Sequence, residues 1–155
     1  MAPQWQSFNN GNWKQLEEAV RNYATASQSN VQVYTGTYGI LSLRDVNNSN
    51  KRIYLYNEDG NKFLSSPLYY WKVVHNPDTN QAMAFVGVNN PYLTSSPTHK
   101  CTNVCDRLSW VDWDRKDLDK GYMYCCDVQD FREYVEYLPD LSDANGNWPE
   151  LLADR

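Results

Sequence analysis

No stretch of this sequence is apolar for long enough to cross a bilayer, which takes about twenty consecutive apolar residues. That excludes a helical membrane span. Met1-Ala2-Pro3-Gln4 has neither a basic start nor an apolar run, so these residues do not read as a secretory leader. Basic residues are in deficit, with 14 Lys and Arg against 19 Asp and Glu, a net charge of −5 and a pI of about 4.9. The deficit excludes a general cationic surface as the source of a strong grip on nucleic acid. It leaves room for a local basic groove or a metal-assisted phosphate site. Histidine is scarce, with only His75 and His99. No repeat and no linker divides the chain, so residues 1–155 read as one domain. A chain of this size buries about two-thirds of its unfolded surface, enough for a core.

What is present is aromatic mass, in twelve Tyr and six Trp, which marks a folded protein. Four cysteines cluster late, as Cys101-x3-Cys105 and the vicinal pair Cys125-Cys126. An even, clustered set points to disulfides and an oxidising compartment. Adjacent cysteines rarely bond each other, so Cys125 and Cys126 are each expected to bridge to one of Cys101 and Cys105, with the choice of partner open. A four-cysteine zinc site is the rival, disfavoured because vicinal ligands fit tetrahedral geometry poorly. Reduced, buried cysteines are the third reading.

The spacing of Trp13, Leu16, Val20 and Tyr23 predicts a helix from Asn9 to about Ser27, with Asn9, Asn10 and Asn12 as candidate caps beside Gly11. A strand is expected from Val31 to Leu41 and a short one from Arg52 to Asn57, followed by a turn at Glu58-Asp59-Gly60-Asn61. Leu68–Val74 and Ala82–Val88, joined by Asn76-Pro77-Asp78-Thr79-Asn80, read as an antiparallel hairpin. Val128, Phe131, Val135 and Leu138 form the apolar stripe of a second helix that Pro139 stops. Residues 140–155 read as an acidic tail, docked at most through Trp148, Leu151 and Leu152. The class is α+β with a mostly antiparallel sheet flanked by helices.

These segments resemble one family in order and spacing. Pro3-Gln4, then Asn9 through Glu17 and Arg21, resemble the metal-site helix of the DNA/RNA non-specific endonucleases of the ββα-metal type. Val33-Tyr34-Thr35-Gly36 is similar to the strand that follows it there. Pro67-Leu68-Tyr69-Tyr70-Trp71-Lys72-Val73 resembles the family's Pro-x-x-Tyr-Trp-Lys-Val strand. Ala84-Phe85-Val86 with Asn89-Asn90-Pro91 resembles the next strand, and Val128 to Pro139 the late helix. The likeness runs from residue 3 to about 140. The cysteine pattern and Asn-Asn-Pro look like the secreted arthropod branch, which implies an extracellular protein.

The resemblance implies roles. The pattern Asn-x7-Glu-x3-Arg places direct Mg²⁺ ligation on Asn9, with Glu17 serving the hydrated metal and Arg21 the phosphate; the ion would be single and mostly water-coordinated. In one continuous helix, Asn9 and Glu17 stand about 12 Å apart along the axis, too far for both to ligate one ion easily. Lys72 joins Arg21 as a nucleic-acid contact. The family's Asp-Arg-Gly-His motif, whose His activates water, precedes the metal helix and has no counterpart in this sequence. Neither His75 nor His99 has the context of a base.

Taken alone, these residues have plainer readings. Glu17 with Arg21 is an ordinary helix pair worth about 0.3 kcal/mol, and Asn9 an N-cap. Tyr69, Tyr70 and Trp71 could stack bases, although an aromatic strand is more often packed. Lysines such as Lys62 and Lys72 are more often solvated than bound to phosphate. Asp112, Asp114, Asp117 and Asp119 are spaced like calcium ligands but have neither the glycine nor the closing Glu of a binding loop, so they read as charged surface.

The expectation is the C-terminal part of a Mg²⁺-dependent nuclease acting on DNA and RNA. It would need a partner chain carrying the N-terminal half, or self-association, to cover a bare sheet edge. The alternative is a catalytically dead nuclease remnant acting as a binding or structural protein.

Overall fold

The structure, a computed structural model, describes residues 2–154. Helices α1 (Gln6–Asn9) and α2 (Asn12–Ser27) lead into β1 (Gln32–Ile40). Two small hairpins follow, β2 (Ser42–Arg44) with β3 (Asn50–Arg52), and β4 (Tyr54–Tyr56) with β5 (Lys62–Ser65). The main hairpin is β6 (Pro67–Asn76) and β7 (Gln81–Val88), and β8 (Met123–Cys126), α3 (Val128–Phe131) and β9 (Glu150–Leu151) complete the chain. The central sheet runs β1-β6-β7-β8, all antiparallel, and β9 adds to β7 in parallel. The α+β class and antiparallel sheet follow the sequence expectation.

The predicted first helix is broken. Asn9 ends α1, and Gly11 caps α2 without a side-chain bond. None of the three asparagines caps α2. Asn12 is instead fully buried, its Nδ2 donating to the carbonyls of Asp114 at 2.8 Å and Gly121 at 2.9 Å. The break is steric: a Cβ on Gly11 would sit 2.2 Å from the Lys120 carbonyl oxygen, so only glycine lets the chain pass there. The rise argument between Asn9 and Glu17 therefore does not apply, because the two residues sit on different helices.

The late helix is also shorter than expected. It is regular only over Val128–Phe131 and continues as turns, although Val128, Phe131 and Val135 are buried as the stripe requires. The tail docks more fully than its composition suggests: Leu152 is buried, Arg132 lies 4.3 Å over the Trp148 ring, and the Leu152 N–H donates to Ala82.

The sheet separates two cores, as period-2 alternation requires. Tyr70, Val74, Met83, Phe85, Met123 and Cys125 face Trp13, Leu16 and Val20 of α2. Trp71, Val73, Ala84, Val86, Tyr124 and Cys126 face Phe131, Val135 and Leu141. The vicinal cysteines thus lie on opposite faces of one strand. Cys125 bonds Cys105 and Cys126 bonds Cys101, with Cα separations of 4.9 and 5.8 Å. The intervening segment wraps the outer edge of β8, where Val104 N–H donates to the Cys125 carbonyl at 3.0 Å and Asn103 Oδ1 accepts from the Cys125 N–H at 3.0 Å. That edge is covered. The opposite edge, the nine-residue β1, has no strand beside it among the described residues.

The segment before α1 is fastened to the sheet by Asn89, which is fully buried. Its Oδ1 accepts from the Trp5 N–H at 2.9 Å, and its Nδ2 donates to the Pro67 carbonyl at 2.9 Å and the Pro3 carbonyl at 3.1 Å. Tyr70 Oη adds a bond to the Ala2 carbonyl at 2.8 Å. An alanine at 89 strands a buried donor and two acceptors. Asn89→Ala is therefore expected to cost about 3 kcal/mol in a urea melt. Replacing Cys101 and Cys126 together by serine, which opens a 25-residue loop, should likewise cost about 3 kcal/mol, read as a lower thermal midpoint.

Candidate active site

Phe8 positions the front of the site. It is buried, and its ring lies in a slot where two glycines replace side chains: a Cβ on Gly87 or on Gly121 would come within 2.4 Å of it. Asn9 follows directly, so the Phe8 slot sets where its side chain emerges. The Asn9 carboxamide is exposed and hydrogen-bonds no protein group among the described residues. An idle amide oxygen at the surface suits a hard cation that keeps most of its water. No group of three or more His, Cys, Asp or Glu side chains gathers around a point among the described residues. The donor set fits a mostly hydrated ion with a single protein ligand.

On α2, Trp13, Glu17 and Arg21 follow one another at intervals of four and so share a stripe. Glu17 is half-buried and Arg21 exposed. Their side chains form no ion pair. Arg21 Nε donates instead to the Glu17 backbone carbonyl at 3.2 Å, and among the described residues neither the Glu17 carboxylate nor the rest of the guanidinium has a side-chain partner. The sheet contributes Lys72 below them. It is only 7% exposed, its Nζ donates to Thr35 Oγ1 at 2.9 Å, and it lies 5.2 Å from the Trp13 ring centroid. Burial pulls the Lys72 ammonium below the ordinary lysine range, the Glu17 carboxylate opposes that shift, and the Arg21 guanidinium adds to it. The structure therefore gathers Glu17, Arg21 and Lys72 on one side of the sheet, with Asn9 across the Gly11 break.

Gln4 is a residue that the sequence reading quoted but gave no role. Its Nε2 is buried without a partner, and it lines a small cavity of about 190 Å³ with Trp5, Ile53, Tyr54 and Ser66. An idle buried donor costs about 1–3 kcal/mol, and no feature of sequence spacing reveals it. The acidic run behaves as the charged surface expected of it: Lys120 pairs with Asp117 at 3.4 Å and lies 3.9 Å from Asp114.

Comparison with known proteins gives a consistent result. The family model described as DNA/RNA non-specific endonuclease matches residues 1–131. A salivary endonuclease of Lutzomyia longipalpis is 34% identical over 155 residues, covering 97% of this chain and 36% of the relative. Salivary protein Tsal1 of Glossina morsitans morsitans is 29% identical over 147 residues, covering 94% of this chain and 36% of the relative. The chain thus spans about a third of the length of the curated relatives it matches.

Both histidines lie on the face away from α2. His75 alternates to the side of Trp71 and Val73, where its Nδ1 donates to Gln32 Oε1 at 3.2 Å. His99 stacks on Tyr124 at 4.5 Å and meets Tyr122 Oη at 2.8 Å through Nε2. The sheet stands between them and Glu17. Burial holds both imidazoles below their ordinary value of 6.5, and Arg115 pushes His99 further down. A depressed folded pKa means that the unfolded chain binds protons first. Stability is therefore complete above about pH 6.5 and falls as pH drops from there through the folded values. His75→Gln should flatten the stability profile between about pH 7 and about pH 5, measured by denaturant melts.

Proposed function

This chain belongs to the DNA/RNA non-specific endonuclease family, and from that membership we propose that it supplies the metal-binding and phosphate-binding part of a Mg²⁺-dependent nuclease that hydrolyses DNA and RNA phosphodiesters. The observation that supports the reading is a set of polar groups without side-chain partners among the described residues: the Asn9 carboxamide at the end of α1, and Glu17 and Arg21 on α2, which form no ion pair at i,i+4 spacing. Asn9 would hold the ion through Oδ1. A bound Mg²⁺ would supply Lewis-acid charge and an acidified water. Glu17 accepts hydrogen bonds from water at the site and orients it. Arg21 presents its free N–H groups to the phosphate, where negative charge builds in the transition state. Local cations matter here because the net charge of −5 gives no general attraction.

The catalytic base belongs in this reading to an Asp-Arg-Gly-His segment outside this chain. The open edge of β1 supports the need for a further segment or a second copy beside it, since a long bare edge invites pairing. The two disulfides and the salivary relatives support an extracellular setting. A second reading, a catalytically dead remnant that binds another protein, draws on the acidic charge and on the placement of both histidines across the sheet.

Plasmid cleavage in Mg²⁺ separates these. The chain alone should be inactive, and an N-terminal fragment carrying the histidine motif should restore cutting. In the restored enzyme, Asn9→Ala and Arg21→Ala should each lower kcat by about 100-fold or more. Cleavage by the chain alone would show that the base lies within it. Failure of every combination to cut would favour the binding-protein reading.

A further inference from the structure

We propose that the open edge of β1 is a docking surface for a second copy of this chain, joined antiparallel about Gly36. The inference stands apart from the nuclease reading, and it commits that edge to one occupant and one register. Tyr34-Thr35-Gly36-Thr37-Tyr38 reads the same in both directions. Two such segments laid antiparallel, with Gly36 opposite Gly36, place every residue against its own kind. Thr35 then faces Thr37 of the second copy, and Tyr34 faces Tyr38. Threonine pairs and aromatic pairs directly opposite each other stabilise antiparallel strands. A surface that pairs with itself about a two-fold axis is what a symmetric dimer requires. A foreign strand needs no symmetry in β1, so a second copy is the partner that the symmetry fits.

The backbone groups that such pairing needs point the right way. Asn89 N–H donates to the Leu68 carbonyl, so even-numbered residues of β6 bond toward β7 and odd-numbered ones toward β1. Val73, Trp71 and Tyr69 stand opposite Tyr34, Gly36 and Tyr38. Those three residues of β1 therefore direct their N–H and C=O groups to β6, and Val33, Thr35 and Thr37 direct theirs outward. Tyr137 Oη donates to the Thr37 carbonyl, as that direction requires, and leaves the oxygen a second lone pair. In the two-fold register each outward threonine meets an outward threonine. Thr35 and Thr37 then exchange both backbone bonds with their counterparts. Gly36 brings no side chain to the axis, and a Cβ there would sit 2.3 Å from the Trp71 ring. Native edges are normally blunted by lysine, by proline or by a covering segment. β1 has no charged residue and no proline over its nine residues, and Val33 and Tyr38, on its two faces, are 44% and 38% exposed. The axis stands perpendicular to the sheet, so both α2 helices would lie on one face of a joined sheet.

Sedimentation equilibrium on the full chain should show a particle of twice 18.1 kDa that dissociates on dilution. Thr37→Pro removes one outward N–H and leaves the β6 ladder alone. Thr37→Lys sets two lysines diagonally across the axis. Each should raise the dissociation constant about tenfold or more, with the far-UV spectrum unchanged. Cross-linking reads the register. All four native cysteines are held in disulfides, so an added one reports alone. On mild oxidation, Tyr34→Cys mixed with Tyr38→Cys should form an intermolecular disulfide, because a pair of this kind brings its Cα atoms to about 4.5 Å. Neither variant alone should do so, since like positions lie four residues out of register. A chain that stays monomeric at every concentration overturns the proposal, and so does a dimer indifferent to both Thr37 variants. No cross-link in the mixture, or an equal one in either variant alone, overturns it as well. Each of these results leaves the nuclease reading untouched, which plasmid cleavage decides separately.

Discussion

Close approach of α1 to the sheet is the constraint from which the site is built. Phe8 can enter the α2-side core only because Gly87 and Gly121 present no side chain to its ring, and because Gly11 lets the chain turn beneath the Lys120 carbonyl. Gly121 does this at φ +87°, a conformation that side chains resist. Asn89 holds the preceding segment from the other end through both halves of its carboxamide. Between these two anchors the backbone from Pro3 to Asn12 has little freedom. Asn9 inherits a fixed position from apolar packing rather than from any contact of its own, so its side chain stays uncommitted. Rigidity at this point comes from the core, while the carboxamide remains open to solvent.

Charge is used sparingly in the same region. The chain is acidic overall, yet beneath α2 it buries Lys72, while α2 itself carries a half-buried Glu17 and an exposed Arg21. Low local dielectric makes the buried Lys72 charge worth more than a solvated one.

Much of the sheet was legible in the residues. The hairpin of β6 and β7 follows from two apolar runs around an Asn/Pro/Asp turn, and β1 from its alternation. The break at Gly11 was not legible, because the helical repeat of Trp13, Leu16 and Val20 says nothing about the turn before it, and the obstruction is a carbonyl more than a hundred residues away. The short α3 escaped for a related reason: burial of Val128, Phe131 and Val135 sets the spacing, and turns of similar pitch satisfy it as well as a helix. The family resemblance brought Asn9, Glu17 and Arg21 into consideration, and spacing put the last two on one face. The burial of Lys72 and the idle nitrogen of Gln4 depend on what lies across the sheet and across the cavity, which no local pattern encodes.

The straddling of β8 by its two disulfides bears on how the strand finds its place. Slippage of β8 by one residue against β7 would turn Cys125 toward the partner of Cys126 and the reverse, exchanging every side chain between faces. Once Cys101–Cys126 and Cys105–Cys125 have closed, that slip would require each bridge to pass through the sheet. The cross-links therefore act as a covalent record of register for a strand of four residues, too short to hold its alignment by ladder bonds alone. A molecule oxidised in the swapped pairing would be trapped out of alignment, with Tyr124 and Met123 each on the wrong side.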